Sequence, residues 1–578
     1  MTKTLKYLLP AMALGMVACS NEIPGDSTLP GSELTGKTAY MKINISSAET
    51  TRAVEDGGLK YGDASEHDVN DAKFIFFDAE GNFVTTASVW TGGTNGNTPN
   101  VEFMGNNVIV LKNLNEKPVR YLLTVLNLPD FEPSFTLTET ALKLQDHRNV
   151  ISDKNYHVMS TSTYYATGED ARHDNKYPYV TVVNPSDYMV QPVEANMADL
   201  NINELPTVDI YVERLSAKFQ LGVGDNITTA GEPVVLESGK RVLYPIRATI
   251  GGGNNGQLGG SDDNIGADQL YVEFLGWGLN ATESHSFISK QIGADWATKE
   301  PFADWNDPFN YRSYWAMSHL YGENPSDHLN YYTYNEILSQ STIGGKALYA
   351  NENTNTAAVL FPDNAQKVVP ARVTHVVVAA RLTDKDGKAL DMIRSTGGEM
   401  FTKEAYIANI FNKVNPQLYY IEGDKYIQIS PEDAQLDWTR DATGHVSIKS
   451  NGFNKIVYKD KDTEATVDDL NTLLASAQSG YEPEVFNGGM MYYTIPIEHL
   501  AALATGDTPA APNVEGYYGV VRNHWYVLTI NNLARIGHGV FDPDKDKIKV
   551  EDPEDETYLL GAKINILSWK VLNQSVNL

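Results

Sequence analysis

Cysteine is nearly absent from this chain: Cys19 is the single one in 578 residues. No disulfide can close within the chain, so its fold must be held by packing alone. Basic residues are scarce beside acidic ones, 45 Lys and Arg against 74 Asp and Glu, and the formal net charge is −29. A surface of that sign repels phosphate, which argues against nucleic acid as a partner and against charge-driven adhesion to anionic lipid. Beyond the opening segment, no apolar run reaches the roughly 20 residues of a membrane-spanning helix. Attachment to a membrane would therefore have to come from a covalent lipid.

Catalytic signatures are missing as well. The chain has no Gly-x-Ser-x-Gly elbow and no His-Glu-x-x-His zinc helix. Gly251, Gly253 and Gly256 have the spacing of a dinucleotide-binding turn, but "QLGGSDDN" follows where a helix would have to receive the pyrophosphate. Asp542, Asp544 and Asp546 resemble the start of a calcium loop, yet Lys547 stands where the sharp turn needs glycine and no Glu closes the loop. His499, His524 and His538 are neighbours in sequence without ligand spacing and read as structural. The expectation is a protein that is not an enzyme, with no cofactor and no bound metal.

What is present begins at the first residue. "MTKTLKYLLPAMALGMVACS" sets Lys3 and Lys6 before a short apolar run ending in small residues, the pattern of a secretory signal over residues 1–18. Cys19 directly follows Met16, Val17 and Ala18, an arrangement like a bacterial lipobox, in which Cys19 would carry a lipid and become the mature N-terminus. From Cys19 to about Gly36 the chain is rich in Pro, Gly and Ser, as a flexible tether is.

Strand signals then dominate. Ala39, Met41, Ile43 and Ile45 alternate with polar neighbours, the two-residue period of a strand with one buried face. A polar stretch containing Arg52 and Ala53 follows, a site that a trypsin-like protease could cut. "KFIFFDAEGNFVTTASVW" reads as a hairpin. Helical periodicity is confined to "TKEAYIANIF" near Thr402 and to "TVDDLNTLLASAQSG", where Thr466 and Asp469 give a capping signal. Many short strands with few helices predict a mainly β chain of two β-sandwich domains, with small helical insertions in the second. Turn-rich "GDNITTAGEP" suggests a boundary near Asp225. The domains expected are 19–52 as a propeptide, 53–225 and 226–561 as sandwiches, and 562–578 as a terminal ribbon. In that ribbon Ile564 and Ile566, then Trp569 and Val571, then Leu572, Val576 and Leu578 keep a strand period that changes phase twice.

Several local patterns occur together and in order: "VERLSAKF" from Val212, "GWGLNAT" from Gly276, "RSYWA" from Arg312, "YANENT" from Tyr349, "VTHVVVAARL" from Val373, "GGMMYYTIPIEHL" from Gly488 and "YYGVVRNHWYVLTINNL" from Tyr517. Taken jointly these resemble the fimbrillin family of Bacteroidales, the subunits of protease-assembled (type V) pili, and most of all the shaft subunit of the short, or minor, fimbriae. The resemblance implies transthyretin-like, Greek-key sandwiches. It implies an outer-membrane lipoprotein precursor acylated at Cys19 and cut between Arg52 and Ala53 by an arginine-specific surface protease. The strand of Ala39, Met41, Ile43 and Ile45 would leave with the lipid. The ribbon of Ile564, Ile566, Trp569, Val571, Leu572, Val576 and Leu578 would fill the resulting groove of another copy by β-strand addition. Such contacts do not close, so the product would be an extracellular, adhesive filament. Its partners would be further copies, accessory anchor and tip proteins, the protease, and receptors on host or bacterial surfaces. On the residues alone other readings stay open: a C-terminal strand paired within its own domain, a monomeric glycan-binding lipoprotein, or an accessory anchor or tip member of the family.

Overall fold

The computed structural model describes residues 37–46, 60–61, 66, 69–90, 101–103, 108–112, 119–129, 131, 136–137, 157–161, 177, 180–184, 187, 189–192, 207–237, 240–249, 269–291, 316–319, 328–354, 359–360, 366–367, 372–396, 398–414, 418–430, 436–441, 444–451, 456–458, 462–480, 482–499, 518–533, 535–548 and 561–570. The chain is mainly β with few helices, as its patterning predicts. In chain order the first strands are β1 (Lys37–Ser46), β2 (Lys60–Tyr61), β3 (Asp71–Phe77), β4 (Phe83–Trp90), β5 (Val101–Phe103), β6 (Val108–Lys112), β7 (Tyr121–Leu126), β8 (Met159–Thr161), β9 (Thr181–Val182), β10 (Met189–Pro192) and β11 (Thr207–Arg214). The predicted hairpin is β3 and β4, turned through Gly81 at φ 86°, a left-handed conformation that favours glycine.

All of these except β2 belong to one sheet system in the order β4-β3-β7-β8-β11-β1-β6-β5, with β9 added on β7 and β10 on β1. β11 makes the corner: Thr207–Tyr211 pairs with β1, and Val212–Arg214 pairs with β8. A strand that changes partner halfway lets the sheet fold over on itself. The two layers close on Met41 and Ile43 of β1, Phe74 and Phe76 of β3, Leu122 and Leu126 of β7, and Ile210 of β11. The odd-numbered residues of β3 and β7 serve the opposite face: Ile75, Phe77, Leu123 and Val125 pack on Phe131, Leu137, Tyr177 and Val180. Burial on both faces explains why "KFIFF" reads as a continuous apolar run rather than an alternating one.

The chain leaves this system at Leu215. The next strand, β12 (Ser216–Thr228), pairs with the strands Leu348–Asn351 and His524–Asn532 in a second sheet. The boundary expected near Asp225 therefore falls ten residues too late, and residues 216–225 lie in the second sandwich. The turn-rich stretch that suggested it marks the far end of β12, where its exposed residues begin.

Facing that sheet is a six-stranded one containing β13 (Val234–Leu236), β14 (Arg241–Thr249), β15 (Gln269–Asn280) and the strands His375–Thr383, Met490–Pro496 and His538–Gly539. Phe219 and Leu221 of β12 and Tyr526, Leu528 and Ile530 pack on Val376, Val378, Tyr493 and Ile495, with Phe219 stacked on Tyr526 at 4.9 Å. Behind it, α1 (Tyr334–Leu338) sets Tyr334 and Ile337 against Val377 and Ala379. Gly276 permits this approach: a Cβ there would meet the Ser341 carbonyl oxygen at 2.9 Å. The predicted helices are α2 (Lys403–Val414) and α3 (Val467–Ala477), which share a smaller core from Ile393 to Leu474. Thr466 and Asp469 form a full capping box at the start of α3.

Candidate functional site

The strand that the sequence marks as removable occupies an interior position. β1 pairs along one side with β6, from Thr38 with Lys112 to Lys42 with Val108. Along the other side its first half pairs antiparallel with β10 and its second half parallel with β11. Ala39 stands opposite Leu111 and Val190, Met41 opposite Ile109, Ile43 opposite Val208 and Ile45 opposite Ile210. Met41 and Ile43 are 0% and 1% exposed. Complete burial of two such side chains contributes about 3–6 kcal/mol together. Taking β1 away would open two rows of backbone donors and acceptors above an apolar floor, an unstable surface that pairs readily with another strand. Cys19, Arg52 and Ala53 lie outside the described residues.

Beyond Arg52 the chain is anchored again in the second sandwich. β2 pairs parallel with the last strand, Gly561–Lys570, through Lys60 with Trp569 and Tyr61 with Lys570. Glu66 is buried, its carboxylate 2.7 Å from Lys218 Nζ and accepting the Tyr349 hydroxyl. Its carbonyl oxygen accepts Arg214 Nε at 2.9 Å. Lys218 Nζ also lies 4.2 Å from the centre of the Trp525 ring, a cation–π contact. The connection 47–59 that contains Arg52 therefore joins an interior strand of one sandwich to a segment fixed at the junction with the other.

The last strand pairs antiparallel with His524–Asn532, with Ile564 opposite Leu528 and Ile566 opposite Tyr526. Its partners belong to its own chain, so as far as Lys570 the ribbon does not stand free, the alternative that the residue pattern had left open. The physical reason is local: His524–Asn532 buries Tyr526, Leu528 and Ile530 and needs a partner for its outer backbone row. On the other side of Gly561–Lys570, β2 covers only Trp569 and Lys570; the rest of that edge has no strand partner among the described residues. Val571, Leu572, Val576 and Leu578 lie outside the described residues.

The motifs that imitated chemistry are absorbed into the fold. In the Asp542 loop the carboxylates turn inward: Asp542 accepts the backbone N–H of Asp544 at 3.1 Å, and Asp546 that of Asp542 at 2.9 Å. His499 and His524 do meet, with ring centres 5.1 Å apart, but His499 Nδ1 bonds the Tyr526 hydroxyl and His524 Nδ1 the Arg522 carbonyl. His538 bonds Glu484. Burial pushes the Glu484 carboxyl up, but His538, Arg394 and the Gly539 N–H outweigh it and hold the group below its usual value. The Gly251 turn lies outside the described residues.

Residues 484–575 match the family described as "Major fimbrial subunit protein type IV, Fimbrillin, C-terminal". The match spans the strands from Glu484 through the last one. Over that region the chain is similar to the fimbrillins, the family that the sequence motifs resemble, and the description of the matched family is that of a fimbrial subunit. No curated protein matches the chain at a significant level. Among solved structures it is similar to a fimbrilin, FimA, of Porphyromonas gingivalis, at 12% identity and a TM-score of 0.36, over 93% of this chain and 99% of that one. It is similar to the tip fimbrial protein Mfa3 of Porphyromonas gingivalis, at 11% identity and a TM-score of 0.27, over 92% and 100%. A third likeness is to a fimbrial assembly protein of Parabacteroides distasonis, at 10% identity and a TM-score of 0.25, over 59% and 81%. At such scores these are likenesses and nothing more.

Proposed function

We propose that this chain is a shaft subunit of an adhesive fimbrium, exported as a precursor lipidated on Cys19 and carried to the outer membrane. An arginine-specific protease cuts between Arg52 and Ala53, and β1 leaves with the lipid. The C-terminal residues of another copy then enter the slot between β6 and β11. The observation that carries this reading is the place of β1: the only described strand before Arg52 is an interior one with Met41 and Ile43 in the core. An inserted strand would recover both rows of backbone hydrogen bonds and the apolar burial together. On this reading residues 1–18 are the signal, 19–52 the propeptide, and two sandwiches meeting at Leu215 are the mature body.

The self-pairing of Gly561–Lys570 refines the donor. Either residues 571–578, with Val571, Leu572, Val576 and Leu578, form the inserting part while Ile564, Ile566 and Trp569 stay home, or the last strand leaves its sheet along its nearly uncovered edge. The same pairing favours a second reading, a lipid-anchored monomer whose C-terminus folds back on itself. Treating the purified precursor with an arginine-specific protease separates the two, with N-terminal sequencing and electron microscopy as readouts. A new terminus at Ala53 with filaments or an SDS-resistant ladder is expected, and a chain ending at Lys570 should be cut normally yet stay monomeric if 571–578 insert. Clean cleavage at Arg52 that yields only monomers would overturn the subunit reading.

A further inference from the structure

Three imidazoles converge at the end of β15 although nothing in their spacing announces it. His285 follows the two-residue strand Thr282–Glu283, His328 directly precedes its partner Leu329–Asn330, and His319 comes from the segment 316–319. The ring centres of His285 and His328 are 4.8 Å apart, those of His285 and His319 5.3 Å, and those of His319 and His328 6.5 Å. A buried carboxylate joins them: Glu283 Oε1 lies 3.8 Å from His285 Nδ1, and Glu283 is 0% exposed. Glu283 Oε2 and His328 Nδ1 are both buried without a hydrogen-bond partner. A fully buried carboxylate oxygen left unpaired costs about 1–3 kcal/mol or more, so a fold that keeps one beside three imidazoles calls for an explanation.

We propose that Glu283, His285, His319 and His328 form a site for a divalent transition metal ion of the zinc class. Imidazole and carboxylate donors suit zinc, nickel and copper rather than magnesium or calcium. Zinc binds imidazole nitrogen at about 2.0–2.1 Å, which sets the centres of tetrahedrally arranged rings roughly 5 Å apart. Two of the three separations have that value; the third, 6.5 Å, and the 21° angle between the stacked rings of His285 and His319 would have to change on rotation of His319. Such rotation is required, because among the described residues no three donors already stand in metal-holding geometry. His285 Nδ1 faces Ser284 Oγ at 2.7 Å and the Glu283 carboxylate, which leaves its Nε2 as the ligating atom and the polar pair behind it to fix the ring. In a chain whose one cysteine permits no disulfide, the ion would staple the segments of His319 and His328 to the end of β15.

Dialysis of the full-length, tag-free chain against zinc, with magnesium in excess to occupy the acidic surface, tests the site by elemental analysis. One retained zinc per chain is expected, with cobalt substitution giving the visible absorption of a four-coordinate nitrogen and oxygen site. His328→Ala and His285→Ala should each weaken zinc binding on the order of tenfold or more. The distant His538→Ala should leave it unchanged. Zinc-edge X-ray absorption on the unmodified chain keeps the test independent of variant folding: two or more imidazole ligands support the site, and an oxygen-only shell overturns it. Failure to retain zinc also overturns it, and neither outcome bears on the fimbrial reading.

Discussion

Replacing Ile43 by alanine strips a side chain that is 1% exposed and packed among Phe74, Phe76, Met159 and Ile210. The expected loss is the transfer free energy of the removed carbons plus a cavity term, roughly 2–5 kcal/mol for buried aliphatic residues of this size. β1 is held by pairing on both sides, so its backbone cannot shift far to fill the hole, and a value of about 3 kcal/mol or more is expected. Urea unfolding followed by tyrosine and tryptophan fluorescence measures it in the first transition, since two sandwiches need not unfold as one unit. With a slope of about 2 kcal/mol/M the midpoint should fall by about 1.5 M while the slope stays constant. A second arm is internal to the reasoning: once the chain is cut after Arg52 and β1 washed away, wild type and variant become the same molecule. A midpoint shift under about 0.3 M, or a difference that survives removal of β1, would show that Ile43 does not hold the strand in place.

Arg522 is wholly buried, bonded to Glu352 Oε2 at 3.2 and 3.1 Å and to the Phe287 carbonyl at 3.0 Å. Glu352→Ala should cost about 3–5 kcal/mol by stranding that charge, whereas Glu352→Gln, which keeps an acceptor, should cost less; thermal unfolding ranks them. A ranking in which the two variants coincide would contradict this. Glu484 titrates below its usual 4.5 in the folded chain, so its contribution is present above the unfolded value and is lost as pH falls through the folded one. Glu484→Gln should therefore destabilise near neutrality and converge with wild type in acid, read as melting temperature against pH; a gap that widens in acid would refute the assignment.

Much of the architecture was legible because the chain obeys short-range rules. The hairpin of β3 and β4 follows from an apolar run broken by Gly81, and α3 from a Thr466 cap with Asp469 three residues on. Alternation in β1 named Met41 and Ile43 as buried, because a two-residue period assigns side chains to faces without reference to the partner. Pairing itself was not legible. The same alternation suits an edge strand or an interior one, and only the register of β1 against β6, β10 and β11 shows that it is interior. The boundary misplaced at Asp225 has the same origin: β11 and β12 run on with only Leu215 between them, and the change of sheet leaves no turn residues to mark it.

The sequence by itself determined the class of fold, the strand faces, the helix caps and the motifs that resemble the fimbrillins, since each depends on neighbours a few residues away. Tertiary structure alone decided what lies far apart in the chain and close in space. It set Glu66 on Lys218 and Tyr349, paired Ile566 with Tyr526 within one chain, and gathered His285, His319 and His328 around Glu283. Such groupings are set by packing and backbone pairing across long separations, and no local spacing of residues records them.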